Sequence, residues 1–320
     1  MNDRIEALYR DIIELATSNG RMVGTPGHGR AKAYLLRRME QLRLEPYKGS
    51  SYELPYRRGG NEFTNLVGRI PGESHLAPIL LGAHYDTAGP YPGADDNAAA
   101  VAILLSLATE LRALARPRPF VIALFDAEEP PHYLTPSMGS TVFYEEQRHG
   151  EIYCAMIMDL VGHEVPRPGL EDLLFITGLE SDPAWPQVLA QAATVSGVRV
   201  IASLNRYAGD VSDHHIFRVN RRPYLFLTCG RWQHYHMPSD TPEKLNLDKI
   251  MAVRACLLEL AGGAAQARLE GPFEGYDSTP FECECIRRAL GPLSTQLGLD
   301  ESCNRQAIDR LAALFLDAGI

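Results

Sequence analysis

Cysteine is scarce: six in 320 residues, at Cys154, Cys229, Cys256, Cys283, Cys285 and Cys303, with no framework spacing. Cys283-Glu-Cys285 is too tight for a zinc ribbon and lacks a second pair. The six therefore read as small, buried or partly buried thiols of a reducing compartment. Long apolar runs are missing as well. None approaches the roughly 20 residues that cross a bilayer. The N-terminal MNDRIEALYRDIIELA alternates charged and apolar residues where a secretory signal would carry an unbroken apolar stretch. The sequence as it stands predicts a cytoplasmic protein without membrane attachment. Nor is there a basic stripe. Lys and Arg number 31 against 40 Asp and Glu, a formal charge of −9, and the scatter of the cations excludes a phosphate-backbone partner such as nucleic acid.

What is present has the balance of an ordinary globular protein, 45% apolar and 22% charged, long enough for one large α/β domain or two ordinary ones. Residues 2–18 and 28–43 have helical spacing, joined by the turn-rich GRMVGTPGHG. SYELPYRR and FTNLVGRIPG read as two strands around Gly59-Gly60-Asn61. Four dense apolar runs follow, PILLGAH (78–84), FVIALFD (120–126), IYCAMIMD (152–159) and PYLFLT (223–228), each a strand buried on both faces. Helical stretches at 96–114 and 137–149 separate them. DLLFITGL (172–179) and VRVIASL (198–204) predict two further strands around a helix at 184–196, and a helix at 247–266 closes the unit. Strands alternating with helices predict an α/β fold with a mainly parallel sheet covered on both sides.

Residues 1–266 thus read as the main domain and 267–320 as a helical C-terminal extension. Thr279-Pro280-Phe281-Glu282 has the form of a capping box, and Gly291 can end that helix. A second helix, 302–318, carries Ile308, Leu311, Leu314 and Phe315 as one stripe. The stripe must pack on the main domain or on a partner chain, the latter being a route to a homo-oligomer.

The chemistry-bearing residues stand where strands end. His84 closes the first run, Asp126-Ala127-Glu128-Glu129 the second, and Asp159 the third. Ligands of open parallel sheets gather at that rim. Asp95-Asp96-Asn97 follows the loop AGPYPGA, and His234 and His236 follow the fourth run. Two imidazoles and three carboxylates suit a pair of metal ions, one carboxylate bridging them. One of the adjacent glutamates can point at a metal, and the other is free as a general base. Asp86, two residues from His84, can accept the proton of the second ring nitrogen. Each element alone has a bland reading: His-x-Asp as a surface pair, Glu-Glu as a solvated face, Asp-Asp before a helix as an N-cap. Their conjunction at successive strand ends is what predicts a site.

GAHYDT, PGADDNAAA, FDAEE followed by MGS, IMDLVG and YHMPSDTPEKL together resemble the dizinc aminopeptidase family, metallopeptidase family twenty-eight. That family includes bacterial aminopeptidases, glutamate carboxypeptidases and glutaminyl cyclases. The resemblance spans about residues 8–265, with the motifs in order. It implies a three-layer α/β/α sandwich on a mixed, mainly parallel sheet, the zinc exopeptidase fold, with two Zn2+ per chain. It makes His84 and Asp159 ligands of one zinc and Glu129 and His236 of the other, with Asp96 bridging and a cis peptide after it. Glu128 is implied as general base, and Tyr235 as the group polarising the scissile carbonyl. The implied activity is aminopeptidase hydrolysis of a peptide or amino-acid amide.

Two departures stand out. Ala98-Ala99-Ala100 replaces the family's Ala-Ser-Gly, and PPHYLTPSM intervenes between Glu129 and Gly139-Ser140, at the mouth of the site. Glutaminyl cyclases carry a lengthened loop of this kind, which makes a single-zinc cyclase the main alternative. Tyr235 and Tyr133, where cyclases carry tryptophan, favour the peptidase. A non-catalytic binding module would have lost ligands, and all are present. A lid-bearing dizinc amidohydrolase would need a domain inserted between Asp159 and His236, where the sheet uses the intervening chain. Asp213-His214 is expected beside the site. His28, His75, His149, His163 and His215 are expected on the surface or in loops. His132 and Tyr133 fit a substrate contact or a structural role equally.

Overall fold

A computed structural model describes residues 3–73, 75–113, 118–272, 276–299, 303–317 and 319. Two helices come first, α1 (Asp3–Leu15) and α2 (Pro26–Gln41), burying Leu8, Ile12 and Leu15 and then Leu35 and Met39. Thr25 starts α2, its hydroxyl accepting the His28 N–H at 3.3 Å, with Pro26 pre-shaped at the first helical position. Strands β1 (Glu45–Pro46), β2 (Glu53–Arg58) and β3 (Asn61–Ile70) form an antiparallel edge. The four apolar runs become β4 (Ile79–His84), β5 (Phe120–Phe125), β6 (Cys154–Met158) and, after β7 (Leu173–Thr177) and β8 (Arg199–Ser203), β9 (Tyr224–Thr228). Every residue of β4, β5, β6 and β9 is buried, as strands covered on both faces require.

The strand order is β1-β3-β5-β4-β6-β9-β7-β8, with β2 also paired to β3. The centre, β5-β4-β6-β9, is parallel, and antiparallel pairing enters at β3 and again between β9 and β7. Strands β4, β5, β6 and β9 therefore deliver their carboxyl ends to one rim. Helices α3 (Ala99–Ala113), α4 (Gly139–Val142), α5 (Trp185–Ala192), α6 (His215–Val219) and α7 (Leu247–Gln266) supply the outer layers. Leu81, Ala83, Met156, Leu225 and Leu227 face a core shared with α1, α3, α5 and α7. Leu80, Ala155, Ile157 and Phe226 face the opposite core, with Phe143, Ile216 and Phe217. This is a three-layer α/β/α sandwich on a mixed sheet.

The helix expected over 96–114 begins only at Ala99. Ala94–Ala98 is a wide turn with Asp96 and Asn97 out of helical conformation, because these residues are bound by the site described below. Likewise α4 gives way to a wide turn at Phe143–Gln147.

The C-terminal segment folds as α8 (Thr279–Leu290), α9 (Pro292–Gln296) and α10 (Arg305–Asp317), with α8 packed along β8. Three expectations are corrected here. The Thr279 capping box is not formed. Ser278 precedes the helix and its hydroxyl donates to Glu282 Oε1 at 2.5 Å, while the Thr279 hydroxyl turns to Asp277 at 2.6 Å. The cysteines are not all thiols: Cys283 and Cys303 form a disulfide, their Cα atoms 6.0 Å apart, and Cys154, Cys229, Cys256 and Cys285 stay free and buried. Only the approach of α10 to α8, not spacing, makes that pair. Finally, Ile308 and Leu311 of the stripe are buried within the chain and Phe315 meets Phe175 edge-on at 5.7 Å, but Leu314 faces outward, 54% exposed. Among the described residues no helix is long and apolar enough to cross a membrane.

Because α3 is buried along most of its length, truncation there leaves a cavity. Leu104→Ala should cost about 2–5 kcal/mol, whereas Leu314→Ala should stay within about 0.5 kcal/mol. Denaturant unfolding of the two variants against the parent measures both.

Candidate functional site

Strand β4 ends by placing His84, fully buried, at the rim. Its Nε2 lies 3.3 Å from Asp96 Oδ1, 3.5 Å from Asp159 Oδ1 and 3.8 Å from Glu128 Oε2, and its Nδ1 lies 3.5 Å from Asp86 Oδ1. His236 Nε2 lies 3.2 Å from Asp96 Oδ2 and 3.0 Å from Glu129 Oε2. Asp96 thus turns one carboxylate oxygen to each imidazole. The structure brings His84, Asp96, Glu128, Glu129, Asp159 and His236 into one space. His234 turns aside to Ser239, its Nδ1 2.8 Å from the hydroxyl oxygen. Tyr235 stacks on the His236 ring, with centroids 3.8 Å apart.

The backbone is bent to achieve this. Ala127, before Glu128, Leu160, after Asp159, and His236 itself all have φ of 55°, the left-handed region that non-glycine residues avoid. Such conformations cost about 1–3 kcal/mol each and persist only where surroundings enforce them. Enforcement is visible. The Asp86 carboxylate accepts the N–H groups of Glu128 and Glu129, both at 3.1 Å. Asp240 accepts those of Asp95 and Asp96 at 2.9 and 3.1 Å. Asp95 in turn accepts from Gly162 N at 2.6 Å and pairs with His163 Nδ1 at 2.7 Å. The Asp96–Asn97 peptide is cis.

Arg21 completes the frame from the turn between α1 and α2. Fully buried, it donates to the carbonyls of Leu15, Tyr85, Pro92, Gly93 and Asp96 at 2.6–3.3 Å. Burial pulls its pKa down to about 10, against the pull of the Asp96 and Asp240 charges. Arg21 and Asp240 are not singled out as site residues by the sequence, and Asp95 stands there only as the neighbour of Asp96. Asp240 lies inside the quoted YHMPSDTPEKL, so a signal existed for it, whereas the segment around Arg21 reads only as a turn.

Of the histidines expected at the surface or in loops, His28 is instead buried within α2, and His163 lies in a loop as expected but is buried there. His28 Nε2 lies 2.8 Å from Asp126 Oδ1 with its ring stacked on Tyr85, and His163 stacks on Trp232. In each case a buried carboxylate supplies the partner that an isolated histidine in sequence does not reveal. His75 and His149 are exposed, and half-buried His215 pairs with Asp210. His214 is buried, its Nε2 3.0 Å from the Gly209 carbonyl and its ring on Phe226. The neighbouring Asp213 is a buried carboxylate pushed up to about 7 chiefly by burial. In the long loop, His132 packs edge-on to Phe63, and Tyr133 donates to the Asp210 carbonyl.

Burial and crowded carboxylates shift the titration of the groups at the centre of the site. Burial, reinforced by the Asp96 charge, pushes Glu129 up to about 8, and burial raises Glu128 well above the carboxylate range. Burial opposes charging His84, but Glu128 and Asp159 overcome it. Asp96 is held low by His236 and His84 in spite of burial. Yet His84 Nε2, Asp96 Oδ2, Glu128 Oε1, Glu129 Oε1, Asp159 Oδ1 and His236 Nε2 are buried without a well-formed hydrogen bond. Buried polar atoms are ordinarily satisfied. Nitrogen and oxygen donors within 4.8 Å of one another form two overlapping sets, His84–Glu128–Asp159 and His84–Asp96–Glu129. This donor chemistry fits divalent zinc. A cleft of about 540 Å³ opens from these groups past Tyr133, Tyr235 and His236.

The sequence profile of Peptidase family M28 matches residues 65–261. The Escherichia coli protein YfbL is 27% identical over 225 residues, 61% of this chain and 69% of that protein. Among solved structures, the glutaminyl cyclase of Tannerella forsythia shares 20% identity over 82% of this chain and 99% of its own, with a TM-score of 0.65. A Zn-dependent exopeptidase from Parabacteroides distasonis shares 18% over 80% and 97%, at 0.65. The LapA aminopeptidase of Legionella pneumophila shares 18% over 82% and 71%, at 0.68. The fold is theirs.

A carboxylate titrating near 8 must lose its proton before it can ligate, so cation binding below that pH expels protons. The affinity for zinc should therefore rise from pH 6 to 8, by up to about tenfold per pH unit for each proton expelled. It should go on rising above 8 because His236, pushed up to about 10 by Asp96 and Glu129 against its burial, must also lose its proton. Calorimetric titration of the zinc-free protein across that range, in buffers of different ionisation enthalpy, measures both the affinity and the protons released.

Proposed function

The chain belongs to peptidase family M28, and from that premise we propose that it is a zinc-dependent aminopeptidase, removing residues from the free amino end of peptides. The observation that carries the reading is Asp96, whose two oxygens each face a different imidazole, 3.3 Å from His84 and 3.2 Å from His236. A carboxylate so placed can bridge two cations, one held also by His84 and Asp159, the other by Glu129 and His236. Bound there, zinc would polarise the substrate carbonyl and activate water.

The chain's own groups account for the rest. Glu128 and Glu129 are adjacent yet differently engaged. Glu129 lies against His236 at 3.0 Å, whereas the nearest histidine nitrogen to Glu128 is 3.8 Å away. Glu128 could join His84 and Asp159 as a ligand, but its looser contact and its place in the cleft lining suit a base. It takes a proton from the attacking water as oxygen adds to the carbonyl carbon. It then gives that proton to the amine nitrogen as the C–N bond breaks. Asp86 holds both glutamates by their N–H groups and faces His84 Nδ1, so it is a positioning residue. Tyr235, stacked on His236 in the cleft lining, offers a hydroxyl to the developing oxyanion. The buried acidic end of the cleft favours an incoming ammonium, which suits the amino end of a chain.

The long loop from Pro130 keeps a glutaminyl cyclase in view. That reaction would favour flat indole walls, but Trp185 lies in the core and Trp232 stacks on His163, and neither lines the cleft. Tyr133 and Tyr235 line it instead.

Zinc-loaded protein incubated with a broad peptide panel, read by mass spectrometry, should release N-terminal residues. Pyroglutamate formed from N-terminal glutamine, with no peptide hydrolysed, would establish the cyclase. Formation of neither product would leave a binding module. Glu128→Gln should retain zinc and lose at least about 100-fold in kcat, while Glu129→Gln should lose zinc. Equal zinc loss in both would show the roles to be misassigned, and unchanged hydrolysis by Tyr235→Phe would remove that hydroxyl from the reaction.

A further inference from the structure

The C-terminal helices lie beyond the segment matched by the family profile, yet they reach the cleft. Its floor is one face of the sheet. Phe175 of β7 pairs with Ile201 of β8 on one side and Thr228 of β9 on the other, so the three side chains stand together. Opposite them are Ile286 from α8 and Ile308, Leu311 and Phe315 from α10. Thr228 lies at the carboxyl end of β9, nearest the acidic groups, so the apolar passage is continuous with the candidate active site.

Helix α10 is fastened at its start. The Arg305 guanidinium donates to both oxygens of the fully buried Glu282 carboxylate at 2.6 and 2.8 Å, and the Cys283–Cys303 disulfide lies beside that pair. One turn on, Asp309 accepts from Tyr207 at 2.6 Å and from Arg206. Beyond these anchors the helix projects Ala312 and Phe315 over the cleft. The whole space, about 540 Å³, is the size of a complete small-ligand site rather than of a notch for one small side chain.

We propose that α8 and α10 form the outer wall of the substrate site, so that the enzyme selects peptides whose N-terminal end carries a bulky apolar group lying between α10 and the β7–β8 face. This rests on the aminopeptidase reading above. A wall of this kind discriminates by contact area, and filling it with a large rather than a small side chain is worth about 10- to 100-fold in kcat/KM.

The test uses the full zinc-loaded chain and two variants outside the acidic site. Ala312→Trp fills the passage, and Phe315→Ala removes its edge-on partner to Phe175. With Phe-Ala and Ala-Ala as substrates, the parent should prefer Phe-Ala by at least about tenfold. Both variants should lose most of that preference, read as the ratio of kcat/KM for Phe-Ala to that for Ala-Ala. In parallel, 4-phenylbutylamine binding is measured by calorimetry, with far-ultraviolet circular dichroism and zinc content as checks of folding. Hydrolysis with a preference that neither variant alters would overturn the wall. Failure to hydrolyse any peptide, with 4-phenylbutylamine affinity still falling at least tenfold in Ala312→Trp, would instead refute the aminopeptidase reading and leave the wall standing. Should Ala312→Trp not fold, Phe315→Ala decides the matter by the same two readouts.

Discussion

The structure is organised around crowded negative charge. Asp86, Asp96, Glu128, Glu129, Asp159 and Asp213 are all buried near one rim of the sheet, with the imidazoles of His84 and His236 and the Arg21 guanidinium beside them. Carboxylates so placed repel one another and forgo water, which is why burial drives Glu129 and Glu128 upward. The arrangement is stable only if something holds each group where it would not stay by itself. The strained turns at Ala127, Leu160 and His236, the carboxylates that grip backbone N–H groups, and the five-carbonyl grasp of Arg21 serve that end.

Much of this was legible in the sequence, for identifiable reasons. Strands covered on both faces must be continuously apolar, so β4, β5, β6 and β9 announced themselves. Their carboxyl ends had to meet at one rim, and the residues found there include the imidazoles and carboxylates read from position and type. Closing helix α7 was read with its bounds, since Asn246 caps it and its apolar face is long. What stayed hidden depends on partners remote in the chain. Arg21 reaches Asp96 across 75 positions and His28 reaches Asp126 across 98. Neither contact leaves a local pattern. The wide turn at Ala94–Ala98 delayed the start of the expected helix to Ala99 because Asp240, far along the chain, claims the N–H groups there.

The C-terminal helices show the same limit from another side. A stripe of apolar residues was evident, but its destination was not, since periodicity states which side chains share a face and not what that face meets. Ile308, Leu311 and Phe315 turned out to meet the sheet and the cleft, while Leu314 was left in solvent. The disulfide and the Arg305–Glu282 pair belong to the same docking, and spacing alone announced neither.

The position of Arg21 carries one more consequence. The profile-matched stretch opens at residue 65, but the loop bearing Asp96 takes its shape from a guanidinium 44 positions earlier in the chain. The boundaries of recognisable ancestry and of cooperative folding are therefore different boundaries. A fragment cut to the first would leave four loop carbonyls, those of Tyr85, Pro92, Gly93 and Asp96, without their shared donor. It would also carry the acidic cluster with one fewer internal counter-charge. The segment ahead of the matched stretch thus belongs with the acidic site in an energetic sense.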